Sequence, residues 1–239
     1  MAEEFSRTKD YRRVRQMQLD LLNTYEWDFS KYPPVSTAQR IRETWHSIPS
    51  QLSKENKKFI YGVIRDGARA KEYEQAIEWL QDSGLIYKVC RIAKPFMPLS
   101  AYQELNIFKI FMADIGLLCA LSRLDVRTII DGSSIFTEFK GALTEQYVLQ
   151  QLKAVPEVYP YYWSSGERAE IDFVIQHQDK IIPVESKAAA NLRAKSLKSY
   201  CDKYSPETAL RFSLSDYKQT VNLYDIPLYM AELWPEIIG

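Results

Sequence analysis

The sequence predicts a mixed α/β chain: an N-terminal helical unit, then a helix, three strands, a helix and a fourth strand. Three observations carry that prediction. Apolar residues recur at helix spacing through most of the first 84 residues, and only Leu85–Ile92 reads as a strand there. From residue 161 the apolar runs become short, rich in Ile, Val and Phe, and bounded by polar turn residues. With 239 residues, 46% of them hydrophobic, the chain can bury one large core or two small ones. The segment KPFMPLSAYQEL at 94–105 holds two prolines and reads as the connector, which gives domains over 1–100 and 101–239.

In order, residues 1–28 read as helical, with Tyr11, Val14, Met17, Leu21 and Leu22 at helix spacing and Asp10 as an N-cap. A turn follows at Lys31-Tyr32-Pro33-Pro34. A helix opens at Ser36 or Thr37, and Ser47-Ile48-Pro49-Ser50 is expected to break it. A second helix is expected over Gln51–Ile64, ended by Gly67. A third runs from Ala70 to Asp82, with Tyr73, Ala76, Ile77 and Leu80 on one stripe and Gly84 as the stop. Three helices closed by a strand resemble a winged-helix unit, the third helix standing in the recognition position. Lys54, Lys57, Lys58, Arg69 and Lys71 give this unit a basic bias suited to DNA phosphates. Glu55, Asp66, Glu72 and Glu74 dilute it toward an ordinary solvated face.

Phe108–Met112 reads as a short strand, and Asp114–Leu124 as a helix. A helix from Ile135 or Thr137 to Lys153 carries Glu145 beside an apolar stripe. Strands follow over Tyr161–Trp163, Glu170–Gln176 and Lys180–Lys187, the last two joined through His177-Gln178-Asp179 as a hairpin. A helix over Asn191–Lys203 places Lys195 and Lys198 at its rim, where they can meet phosphate or merely solvent. Thr208–Leu214 is a fourth strand.

Composition excludes several classes. Thirty-one basic and thirty-one acidic residues cancel, which argues against a general cationic coat but leaves local patches open. No apolar run approaches the length of a membrane span, and the first residues do not read as a signal peptide, so a cytoplasmic protein is expected. The three cysteines are far apart and suit reduced thiols. Two histidines make a His-rich zinc site or a Ser-His-Asp triad improbable. No Walker A phosphate loop, and hence no ATP site, is present. No motif supports a metabolic enzyme with a small-molecule pocket.

The charges that interrupt the strands carry the chemistry. Asp172 sits between Ile171 and Phe173, and Glu185 and Lys187 follow an apolar run. A carboxylate inside a strand is disfavoured, and burying it alone is costly. A side-chain period of two puts Glu185 and Lys187 on one face, and strand pairing can add Asp172. Two carboxylates suit a hard divalent cation such as Mg²⁺ or Mn²⁺, and an ammonium suits a water or a developing phosphate charge. The plain alternative is a surface hairpin with a cross-strand ion pair.

Asp172, Glu185 and Lys187 form a D-x(12)-E-x-K pattern that resembles the PD-(D/E)xK motif of restriction-endonuclease-like folds, with Glu145 matching the acid often found on the first core helix. The resemblance implies a metal held by Asp172 and Glu185, with help from the Ser186 carbonyl, and Lys187 and Glu145 in supporting roles. More broadly, SIPSQLSKENKKFIYGVI, GARAKEYEQAIEWLQDSGLI, PLSAYQELNIFKIFMADIGLL, EIDFVI, PVESKAAA, SLKSY and NLYDIPLYMAELW are similar to the C-terminal region of a bacterial and archaeal family of AAA+-type ATP-binding proteins. That resemblance implies a winged helix followed by a nuclease-like domain, normally preceded by a P-loop ATPase that this chain lacks. Two functions are therefore expected to compete: a Mg²⁺-dependent DNA phosphodiester hydrolase, and a non-catalytic module that binds DNA, a partner protein or an AAA+ ATPase.

Overall fold

The computed structural model describes residues 1–31, 34–54, 57–131, 137–166, 169–189 and 195–239. The chain divides into two compact units, residues 1–88 with 110–139, and residues 89–109 with 140–239.

The first unit is helical. α1 (Ala2–Thr8) leads into α2 (Tyr11–Asp28), whose N-cap Asp10 accepts from the Arg12 and Arg13 amides. Asp10 thereby satisfies two of the amides that a helix start leaves open. α3 (Val35–Leu52) runs through Pro49, where the sequence predicts a break. Proline in a helix interior costs about 3 kcal/mol. Here packing outweighs that cost, because Trp45, Ile48 and Leu52 on the same stripe are wholly buried. Phe29 meets Trp45 edge-on at 5.7 Å and Trp79 at 5.6 Å.

The helix expected over Gln51–Ile64 is absent as such. α3 ends at Leu52, and only the single turn α4 (Tyr61–Ile64) follows. Buried Gln51 accounts for the difference. Its Oε1 accepts from the Ile60 N–H at 3.0 Å, and its Nε2 donates to the Ile60 carbonyl at 2.9 Å. One side chain thus satisfies both backbone groups that a continuous helix would have paired. α5 (Ala70–Asp82) follows the sequence pattern closely, burying Tyr73, Ala76, Ile77 and Leu80. Gly84 beyond it takes φ +69°, the left-handed conformation that stops helices. α6 (Ile115–Leu121) is capped by Asp114, and α7 (Val126–Asp131) follows.

The strands are β1 (Ile86–Ile92), β2 (Gln103–Met112), β3 (Tyr161–Ser164), β4 (Glu170–His177), β5 (Lys180–Ser186), β6 (Ala209–Ser213), β7 (Lys218–Gln219) and β8 (Leu223–Pro227), in the sheet order β2-β1-β3-β4-β5-β6-β8-β7. The sheet is mixed: β3–β4, β4–β5 and β7–β8 are antiparallel, and β1–β3, β5–β6 and β6–β8 are parallel. β2 is longer than the expected 108–112 strand, and β7 and β8 arise in a tail whose sequence signals only aromatic packing. α8 (Thr137–Ala154) precedes β3, and its expected start at Ile135 lies outside the described residues. α9 (Lys195–Tyr204) supplies the crossover from β5 to β6, its expected first residues also lying outside the described ones. Leu197 and Tyr200 of α9 join Trp163, Ile171, Val174 and Ala209 in one core cluster, with Trp163 and Tyr200 edge-on at 5.2 Å. A closing turn, α10 (Trp234–Ile238), buries Trp234.

Replacing Gln51 by Ala strands the Ile60 N–H and carbonyl. We expect a loss of roughly 2–4 kcal/mol, read from the midpoint of urea unfolding, whereas a change under about 0.5 kcal/mol would show that solvent already serves these groups.

Candidate active site

β4 and β5 bring together what the sequence sets 13 residues apart. Phe173 pairs with Val184 in their antiparallel register, and one further step faces Asp172 with Glu185. Period two puts Glu170 beside Asp172 on one strand, and Lys187 beside Glu185 just beyond the end of the other. Asp172 Oδ2 accepts from the Ser186 N–H at 2.7 Å and from the Ser186 hydroxyl at 2.8 Å. Lys187 forms an ion pair with Glu185 Oε1, and the Lys187 N–H donates to the Phe212 carbonyl at 2.8 Å, tying the strand end to β6. Glu185 is 3% exposed, and its Oε2 is buried without a hydrogen-bond partner among the described residues.

A residue the sequence reading passed over completes the group. Lys109, in the middle of β2, is 0% exposed. Its Nζ lies 2.5 Å from Glu170 Oε1 and 3.9 Å from Glu145 Oε2, and 4.8 Å from the centre of the Tyr162 ring. Glu145, on α8, is itself 6% exposed. All six side chains belong to the second unit.

The electrostatics follow from burial. Loss of water pushes the Glu185 carboxyl up to about 8, and the nearby Asp172 charge pushes the same way, against the pull of Lys187. Burial alone would lower the Lys109 ammonium, but the Glu145, Glu170 and Asp172 carboxylates outweigh it and hold it above its usual range. Lys187 is likewise held up by Glu185 and Asp172 against its own desolvation. Among the described residues the group holds four carboxylates, Glu145, Glu170, Asp172 and Glu185, against two ammoniums, Lys109 and Lys187. With all four carboxylates ionised, two negative charges are in excess, and a proton on Glu185 reduces the excess to one.

Next along the same row, Glu185 pairs in register with Arg211, and Arg211 with Asp225. Arg211 binds Asp225 through two hydrogen bonds, 2.5 and 2.9 Å, so this neighbour is balanced within itself.

The carboxylates can be tested against a divalent cation. No set of three His, Cys, Asp or Glu side chains converges as ligands among the described residues. The orphaned Oε2 of Glu185 beside Asp172 and the excess of negative charge do fit a hydrated cation with two protein carboxylates, the form Mg²⁺ commonly takes.

The other basic positions singled out by sequence are not among the six side chains of this group. Lys54, Arg69, Lys71, Lys195 and Lys198 are exposed, and Lys57 and Lys58 are half-buried. Arg69 is the N-cap of α5, its N–H donating to Glu72.

The fold and the buried charges thus define a mixed α/β protein with a carboxylate–lysine group built on β2, β4, the end of β5 and α8. Residues 1–128, more than half the chain, match the domain of unknown function DUF8612, and the chain belongs to that family. Residues 140–230 match a second domain of unknown function, DUF4143, which is generally found alongside AAA ATPase domains. No curated protein and no solved structure matches the chain. Among the described residues no helix is long and apolar enough to cross a membrane.

Two predictions follow from the charges. Glu185 has a folded pKa above its ordinary value of 4.5. Its contribution to stability is therefore fully present below pH 4.5 and lost as the pH rises through about 8. Between pH 5 and pH 8.5 the native chain should lose more than about 1 kcal/mol relative to Glu185→Gln in urea unfolding, and parallel curves for the two proteins would place Glu185 in water. Lys109→Met removes the lysine from beside buried Glu145, and should cost roughly 3–5 kcal/mol, against a smaller loss for Glu170→Gln at the more exposed end of the pair.

Proposed function

We propose that the second unit is a divalent-metal-dependent phosphodiesterase acting on DNA. The observation that carries this reading is buried Glu185 beside half-buried Asp172 and Lys187 on adjoining strand ends, with an excess of carboxylates over ammoniums and a carboxylate oxygen of Glu185 without a hydrogen-bond partner among the described residues. Asp172 and Glu185 would hold the cation, and a bound Mg²⁺ or Mn²⁺ supplies a Lewis acid for a phosphate oxygen and lowers the pKa of its water.

The protein's own residues do the rest. Ser186 fixes Asp172 through two hydrogen bonds, which presets one carboxylate. The neighbouring carboxylates keep Lys187 protonated at neutral pH, so it acts as an ammonium and not as a base. That ammonium suits the charge that builds on phosphorus-bound oxygen as a water oxygen attacks and one P–O bond breaks, the leaving oxygen taking a proton. Lys109 takes Glu145 and Glu170 as its counter-charges, and the Glu145 charge also reaches Lys187. The order α8, β3, β4, β5, α9, β6 is consistent with a restriction-endonuclease-like core, and α3, α4, α5 and β1 with a winged-helix-like unit.

A second reading rests on the DUF4143 match: the chain is a non-catalytic module that works with an AAA ATPase in the cytoplasm.

The test is nicking of supercoiled plasmid with Mg²⁺ or Mn²⁺, run beside Lys187→Ala and Asp172→Ala made identically. We expect nicking by the native chain and a loss of about 100-fold or more in either variant. Equal nicking by all three would assign the cleavage to a contaminant. No nicking by any, together with no calorimetric uptake of Mn²⁺, would favour the non-catalytic module.

A further inference from the structure

A second charged site lies in the first unit, and its sign is opposite. A cleft of about 1060 Å³ opens between the α1–α2 turn and the α6–α7 turn. Five cationic side chains line it: Lys9, Arg12, Arg15, Arg123 and Arg127. Two carboxylates line it as well, Asp10 and Asp125. Both are engaged with their own backbone. Asp10 accepts from the Arg12 N–H at 2.9 Å and the Arg13 N–H at 3.2 Å, and Asp125 accepts from the Arg127 N–H at 2.7 Å.

The two turns share one plan. Each ends a helix with a cation in the left-handed conformation, Lys9 at φ 55° and Arg123 at φ 53°. Each then places an aspartate whose carboxylate takes the amide of an arginine two residues on, in Asp10-Tyr11-Arg12 and Asp125-Val126-Arg127. Left-handed positions after helices usually carry glycine, because a Cβ is strained there. Here both carry long cations into the same cleft.

Arg15 supplies the independent sign of a missing acceptor. Its Nη2 donates to the Leu124 carbonyl at 2.9 Å, while its Nη1 is buried without a hydrogen-bond partner among the described residues. A guanidinium nitrogen shut away from water without an acceptor is costly unless something fills the place. The rest of the lining is apolar at Leu19, Ala120, Leu124 and Val126, and Tyr11 stands half-exposed beside them.

We propose that this cleft binds a phosphate-bearing ligand, either a free nucleotide-sized polyphosphate or the phosphodiester backbone of a nucleic acid. Guanidiniums match phosphate oxygens in pairs, and five cations against two engaged carboxylates leave three positive charges for the ligand. The apolar lining and the tyrosine give a sugar or base somewhere to rest, and the volume suits a nucleotide or a short stretch of backbone. The site is separate from the carboxylate group and stands whether or not the chain cleaves DNA.

The experiment keeps the two apart by working in EDTA. Binding of fluorescein-labelled 20-nucleotide single-stranded and duplex DNA to the full chain is followed by anisotropy over a salt series, for the native protein and for the double variants Lys9→Gly/Arg123→Gly and Arg12→Ser/Arg127→Ser. The glycine pair removes two cations at positions whose backbone glycine adopts without strain, so the thermal melt should hold. Each double variant should weaken binding about 10-fold or more, and reduce the slope of log affinity against log salt by about 1–2. Displacement of the labelled DNA by tripolyphosphate at equal phosphate concentration would identify a small polyphosphate as the ligand, and resistance to it would identify the backbone. Affinity and slope unchanged in both variants, or displacement by polyglutamate as effective as by tripolyphosphate, would overturn the proposal.

Discussion

A lysine with no exposed surface has to be neutralised where it stands, and Lys109 sets that condition for the second unit. Its ammonium cannot reach water by extending, as lysines near a surface do. Glu170 at 2.5 Å and Glu145 at 3.9 Å meet the need from two elements far apart in sequence, β4 and α8. The pairing fixes more than charge. It requires β2, β4 and α8 to place these three side chains within a few ångströms, so the contacts of one buried amine constrain the approach of a helix to a sheet. Buried ion pairs are weak evidence for stability in themselves, because desolvation offsets the attraction. Their effect is specific, since arrangements that separate the partners leave a buried charge unmatched.

Once Lys109 is accounted for, the chemistry of its neighbours changes meaning. Two of the four carboxylates are tied to it, and Arg211 on the adjoining strand is held by Asp225. Lys187 is the cation paired with Glu185, while Asp172 is shared between the pull of Lys187, the more distant charge of Lys109 and the hydrogen bonds of Ser186. The burial of Glu185 and the charge of Asp172 together outweigh the pull of Lys187, which is why they hold a proton on Glu185 up to about pH 8. A proton and a cation are alternative answers to one excess of negative charge. In this sense the raised Glu185 pKa and the proposed divalent ion have the same cause, and neither follows from the D-x(12)-E-x-K spacing alone.

Where the sequence was legible, it was so for local physical reasons. The α5 stripe of Tyr73, Ala76, Ile77 and Leu80, the stop at Gly84 and the Asp10 cap depend on spacing and backbone preference, and all three are present. The hairpin β4–β5 was legible because two apolar runs rich in Ile, Val and Phe flank the short polar link His177-Gln178-Asp179. What was missed depends on long-range contacts. Pro49 stays helical because of the packing of Trp45 and Ile48, and Gln51 ends its helix by reaching nine residues ahead to Ile60. Lys109 offered the same signal as Asp172, a charge inside an apolar strand, Phe108-Lys109-Ile110-Phe111-Met112. It is easier to overlook because a lysine stem is apolar and its head usually escapes to solvent.

A net charge of zero, made of 31 cations and 31 anions, argued against a general cationic coat and left local patches open. The structure sorts those charges. In the second unit, buried carboxylates outnumber buried ammoniums among the described residues, and in the first a cleft gathers five cations around two aspartates that each give one oxygen to backbone amides. Average charge says little about either place, because electrostatic recognition acts over a Debye length of about 8 Å at physiological salt and is decided by what stands within it. The aspartates of the cleft show how a sequence count misleads. Read along the chain they cancel their neighbouring arginines, but in the fold each carboxylate organises the turn that carries its arginine, which leaves the guanidinium available to an anion from outside.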